Sequence, residues 1–181
     1  VYVHKYLLRL ISLCWLAGCS AASLAGELQP PPQLTHAGTL YTRIYQKALN
    51  KGLVIYQYTS GQETLKNWTS MLTLAYWKGH KFNTTRWLAA LDDRLSHSSA
   101  QYELYQRQGH GYARIIYLPD DHNPNFEAAI FKGFEQAGCD DLVAYQFSMR
   151  QPANTDPQRV EQQILQAASE LESSDWAPVC Q

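Results

Sequence analysis

In the stretch Val143-Ala144-Tyr145-Gln146-Phe147-Ser148-Met149 the large apolar side chains fall on every second residue. Only an extended strand, whose side chains point alternately to opposite faces, gathers Val143, Tyr145, Phe147 and Met149 on one side and leaves Ala144, Gln146 and Ser148 on the other. A strand of this kind must pair with neighbours and cover its apolar face, so the chain has to build a sheet with something packed on it.

The same reading extends along the chain. Tyr41 to Thr59 alternates and is rich in aromatics, with a break at Asn50-Lys51-Gly52 that predicts a hairpin in which glycine supplies a positive φ. Tyr41, Ile44, Tyr45 and Ala48 also fit helical spacing, so a helix over 40–49 is the competing reading. After a Ser60-Gly61 turn, Trp68 to Trp77 is β-branched and aromatic with apolar residues on both faces, as in a central strand. Asn83 or Thr84 can cap a helix whose stripe is Trp87, Leu88, Leu91 and Leu95. Two strands around Gly109-His110-Gly111 and another over Phe126 to Phe134 follow. Asp156-Pro157 then places a cap and an N1 proline ahead of a second helix, with Val160, Ile164, Leu165, Ala168 and Leu171 as its buried face. The expected fold is α+β, an antiparallel sheet with two main helices packed on one side.

The N-terminus reads as an address. Lys5 and Arg9 flank the start of a short apolar run, Leu10 to Ala17, too brief to span a bilayer, which takes about 20 apolar residues. The run ends in Leu16-Ala17-Gly18-Cys19, which resembles the lipobox of bacterial lipoproteins. That resemblance implies cleavage before Cys19, a signal peptide over 1–18, acylation of Cys19 and, with Ser20 following, a place at the outer membrane facing the periplasm. Rival readings are a secreted protein cut after Ala22 or Ala25, or an internal helix. Residues 19–38, with small residues, glutamine and Pro30-Pro31-Pro32, read as a flexible tether, since three prolines form neither a helix nor an inner strand. The domain is expected over 39–181.

Of the four cysteines, loss of Cys14 with the leader and acylation of Cys19 leaves Cys139 and Cys180. Export makes their pairing a natural expectation, with two free thiols as the alternative. Losing Lys5 and Arg9 takes the 15 basic residues to 13 against 16 acidic, a balance without the cationic surface that neutralises phosphates, so no nucleic-acid partner is expected.

No motif commits the chain to chemistry. The six histidines lack metal-ligand spacing and no metal or other cofactor is expected. Asp120-Asp121-His122-Asn123 before Pro124 has the residue types of an acid/base or metal site and equally those of a turn whose side chains bond their own backbone. Gly109-His110-Gly111 can hold a catalytic histidine or merely turn a hairpin. There is no G-x-S-x-G elbow, Walker loop or dinucleotide fingerprint. Catalytic residues are therefore assigned to none.

The 12 Tyr and 5 Trp suit sheet faces, where the ring packs and the polar edge finds a partner. Exposed, they would form a platform for glycan or peptide, and Trp68 and Trp77 are the candidate binding residues. Gly61-Gln62-Glu63-Thr64-Leu65-Lys66-Asn67-Trp68-Thr69-Ser70-Met71, with the element order, resembles small exported proteobacterial proteins carrying G-x-x-x-x-x-N-W-T and, more broadly, the PsbP/DcrB-like fold. The resemblance supplies no catalytic residues. The functions it leaves open are a protein-binding or scaffolding domain of an envelope assembly, with an envelope protein as partner, and a small-ligand or glycan binder. An enzyme is the third reading.

Overall fold

The computed structural model describes residues 27–49, 52–78, 83–121, 123–135 and 142–180. Among them, eight strands form one antiparallel sheet: β1 Gln33–His36, β2 Thr39–Ala48, β3 Leu53–Ser60, β4 Ser70–Trp77, β5 Gln101–Arg107, β6 His110–Tyr117, β7 Asn125–Glu135 and β8 Leu142–Pro152. Helix α1, Thr84–Leu95, joins β4 to β5, and α2, Pro157–Ser173, follows β8. The spatial order is β1-β2-β3-β4-β8-β7-β6-β5, two meanders meeting where β4 lies against β8. The Tyr41–Thr59 segment is a hairpin, with Gly52 at φ 79°, because aromatic residues gain more by pairing and burial in a sheet than from a helical stripe.

Both helices start as their sequences dictate. The Asn83 side chain accepts the Arg86 amide at 2.8 Å, and the Asp156 carboxylate accepts the Gln158 amide at 3.0 Å beside Pro157. These bonds satisfy amides that a first turn leaves without partners.

The helices do not share a side of the sheet. Val160, Ile164 and Leu171 of α2 pack with Ile130 and Phe134 of β7 and Val143 and Tyr145 of β8. Trp87, Leu91 and Leu95 of α1 pack with Phe131 of β7 and Leu142 and Ala144 of β8. Alternate residues of the same two strands thus meet different helices, so α1 and α2 lie on opposite faces. The apolar stripe of a helix says that it packs, but the connection entering it decides on which face. Leu165 differs from expectation too. It is exposed, because the buried row runs through Val160, Ile164, Ala167, Ala168 and Leu171, and Leu165 falls just outside it.

Where α2 gives out, two extended segments cover its side of the sheet. Leu28 bridges Cys180, and the Gln29 amide donates to the Val179 carbonyl at 2.9 Å. Leu28, Leu34, Trp176 and Cys180 join Tyr41, Tyr56, Tyr58 and Tyr76 in one cluster. The three prolines serve as acceptors: Pro30 takes a bond from the Arg43 guanidinium, Pro31 from the Tyr58 hydroxyl and Pro32 from the Arg43 amide. A prolyl residue lacks a donor but keeps its carbonyl, which suits it to lying across an edge. Residues 27–38, expected in the tether, therefore belong to the fold, and β1 pairs with Thr39–Thr42 of β2.

Candidate functional site

The α1 face of the sheet can be read as rows of cross-strand partners. One row runs Ile55-Ala75-Ala144-Gly133-Gly111 and the next Gln57-Thr73-Gln146-Phe131-Ala113. The first is almost free of bulk over four strands. At its far end this lets α1 come close: a Cβ on Gly133 would sit 2.8 Å from the Trp87 ring, and one on Gly111 3.2 Å from it. Trp87 fills that end of the trough. Toward Ala75 and Ala144, Ala90, Leu91 and Arg94 of α1 line the remaining space without filling it.

What remains is a groove of about 400 Å³ between α1 and the sheet. Its floor is Thr73, Ala75, Ala129, Ala144 and Gln146, and its walls include Ile55, Trp77, Trp87 and Phe131. Leu91 and Ala90 line it from the helix, and Arg94 and Tyr117 complete it. The volume falls within the roughly 300–1,000 Å³ usual for small-molecule sites, which are mostly apolar with a few convergent polar groups. Here Thr73 and Gln146, which are cross-strand partners, supply hydrogen-bonding side chains, and Arg94 supplies a charge.

The helical wall is fixed at both ends. The Glu135 carboxylate accepts from the Thr84 amide at 2.6 Å and from its hydroxyl, tying the start of α1 to β7. These bonds hold the Glu135 carboxyl below its ordinary range, and a negative charge there also suits the helix N-terminus. Near the other end, the Tyr102 hydroxyl donates to Asp92 at 2.9 Å.

Trp77, one of the two candidate binding residues, thus lines the groove. Trp68 does not. It is buried in the loop ahead of β4 with the Arg150 guanidinium 4.1 Å from its ring centre, and Arg150 is held by Glu127. Cation–π contact and ion pair together make this corner a structural anchor.

Asp120 accepts the Asn123 amide at 2.7 Å, and its own amide donates to the Asn123 carbonyl, the self-bonded turn that its residue types predict. His122 lies outside the described residues. His110 opens β6 opposite Arg107 and packs against Phe134, with its Nδ1 buried and unpartnered. Burial first, and Lys132 second, hold its imidazole below the ordinary histidine range. Among the described residues no three His, Cys, Asp or Glu are placed to hold a metal, and no helix is long and apolar enough to cross a membrane. Cys19 and Cys139 lie outside the described residues, whereas Cys180 is disulfide-bonded.

The groove escaped the sequence reading because its floor comes from separate strands. The available signal was small residues, Ala75 and Ala144 each between bulky apolar neighbours in its strand and Gly133 between Lys132 and Phe134.

The chain belongs to the protein family whose model matches residues 28–176. The matched span runs from Leu28 to Trp176, so it takes in the groove, the N-terminal segment that covers the α2 face and the C-terminal one as far as Trp176, with Val179 and Cys180 beyond it. No curated protein matches the chain.

Proposed function

For a member of this family we propose a lipid-anchored protein of the bacterial envelope, tethered through Cys19 at the outer membrane, whose domain works in the periplasm by binding a small, largely apolar ligand. The groove under α1 carries the ligand reading: an apolar trough of about 400 Å³ with Trp77 and Trp87 in its walls. Aromatic walls over an alanine floor suit a flat ring or a short chain, which gains by leaving water. A PsbP/DcrB-like fold belongs to the same proposal, resting on the element order and the Gly61–Met71 stretch.

The test uses N-phenyl-1-naphthylamine, an uncharged probe that brightens on leaving water. Its emission is expected to rise with the wild-type protein and much less with Ala90→Phe, which adds bulk from an exposed position on α1. Equal enhancement by both proteins would remove the groove from the reading. For the anchor, intact mass and membrane fractionation are compared with Cys19→Ala. Acyl mass that disappears in the variant supports the tether, and a lipid-free soluble wild type sinks it. Pairing of Cys139 with Cys180 is part of the proposal and is checked by a disulfide-linked peptide in a non-reducing digest.

A protein partner in the envelope is the second reading, and a different feature favours it. Beyond Thr42 the outer edge of β2 has no paired strand among the described residues, and Ile44, where the register with β3 shifts, is exposed. An open edge with apolar side chains accepts a strand from another chain. Capture of an envelope protein by the wild type and its loss with Ile44→Lys would support this reading.

A further inference from the structure

Among the described residues that line the groove, one side chain is charged, and it is a cation. We propose that the site selects anionic ligands: a flat or short apolar body bearing a single carboxylate, sulfonate or similar group, with the Arg94 guanidinium as its partner. This inference rests on the groove being a ligand site and adds the sign of the ligand.

Three observations carry it. First, neither Asp nor Glu is among the described residues that line the groove, so none of these offers the guanidinium a carboxylate. Of the two acids that precede Arg94 in the helix, Asp92 is engaged by the Tyr102 hydroxyl, and Asp93 is its immediate neighbour in sequence, a spacing at which helical side chains do not face each other. Second, Arg94 forms no ion pair among the described residues, whereas Arg107, Arg114 and Arg150 each pair with a glutamate. Its charge suits the last turn of α1, where a cation complements the helix C-terminus, but that role leaves its N–H donors available. Third, the wall beside it is apolar and aromatic. A low-dielectric wall strengthens attraction between opposite charges, and a planar guanidinium can bond two oxygens of one anionic group at once. The whole chain has a formal charge of −1, so anion selection would be a local property of the groove and not a general attraction.

The experiment compares two probes with the same aromatic skeleton, 1-anilinonaphthalene-8-sulfonate and uncharged N-phenyl-1-naphthylamine, titrated into the full chain. Arg94→Gln is expected to weaken sulfonate binding about tenfold, the order of effect of one charge-assisted contact, and to change binding of the uncharged probe by less than about twofold. Arg94→Lys, which keeps the charge and loses the fork, is expected to fall between. If Arg94→Gln leaves the sulfonate unaffected while both probes still respond to Ala90→Phe, the groove reading stands and anion selection is overturned. If Arg94→Gln weakens both probes equally, Arg94 supports the wall only, and the inference is again overturned. If neither probe binds, or Ala90→Phe changes neither, the groove reading fails and this inference with it.

Discussion

On the α2 side, β4, β7 and β8 present Leu72, Leu74, Ile130, Phe134, Val143 and Tyr145 to a helix and two extended segments, and all six are buried. On the α1 side the same strands present Thr73, Ala75, Ala129, Phe131, Ala144 and Gln146 beside one helix that lies mainly over β5 to β7 and reaches β8 at Leu142 and Ala144. Large side chains under three covering elements close one face, and a face with three alanines among its six side chains, under one element, is left with a groove. The residues between two neighbours in a strand therefore decide where this molecule is solid and where it is hollow.

The comparison breaks most visibly if matched truncations cost the same on both faces. Ile164 of α2 is fully buried, so Ile164→Ala is expected to cost about 2–5 kcal/mol, the usual price of a large deletion in a core. Ile55 lines the groove and is only half-buried, and Ile55→Ala is expected to cost less than about 1 kcal/mol because water already reaches the site. Urea unfolding of both variants decides it. Similar losses would mean that the α1 face is closed as tightly as the other.

The closed end of the trough gives a second, smaller effect. Gly133→Ala puts a methyl 2.8 Å from the Trp87 ring, and overpacking of this kind is expected to cost about 1–3 kcal/mol. With Trp87→Leu already in place the added cost should largely vanish, since residues in contact are not additive. Additive losses in that double-mutant cycle would separate Gly133 from the seating of α1.

Much of the fold was legible because its signals are local. The alternation at Val143–Met149, the caps at Asn83 and Asp156 and the break near Gly52 each depend on a few consecutive residues, and each element formed where those residues placed it. The side on which each helix packs was not legible, because Trp87, Leu91 and Leu95 would make the same stripe on either face. Nor was the role of Pro30-Pro31-Pro32, whose partners Arg43 and Tyr58 belong to other strands. The candidate site was half legible. Trp77 stood out as an aromatic near a strand end, while Arg94 had no signal beyond being one of the two cations of α1. Its meaning appears only when β4, β7 and β8 bring their alanines beneath it.

The smallest expected effect tests how tightly the α2 face closes at its edge. His36 of β1 is buried, stacked on Phe147 at 4.4 Å, with Nδ1 3.0 Å from the Tyr145 hydroxyl and Nε2 unpartnered. Burial lowers its affinity for a proton below the ordinary value of 6.5, and the Glu170 carboxylate opposes this only in part. The unfolded chain therefore takes up the proton first as pH falls, so stability tied to neutral His36 is complete above about pH 6.5 and declines below it, until the pH drops through the lower folded value. The slope cannot exceed about 1.4 kcal/mol per pH unit for one proton. His36→Phe keeps a ring against Phe147 and removes the titration. It forfeits the bond to Tyr145 at every pH, so the informative quantity is the difference between the two stability curves from pH 8 to pH 5. A difference that narrows as pH falls would show that β1 holds its histidine in a closed apolar edge. A constant difference would mean that His36 exchanges protons as freely in the fold as outside it, and that the α2 face is as open at its rim as the α1 face is at its groove.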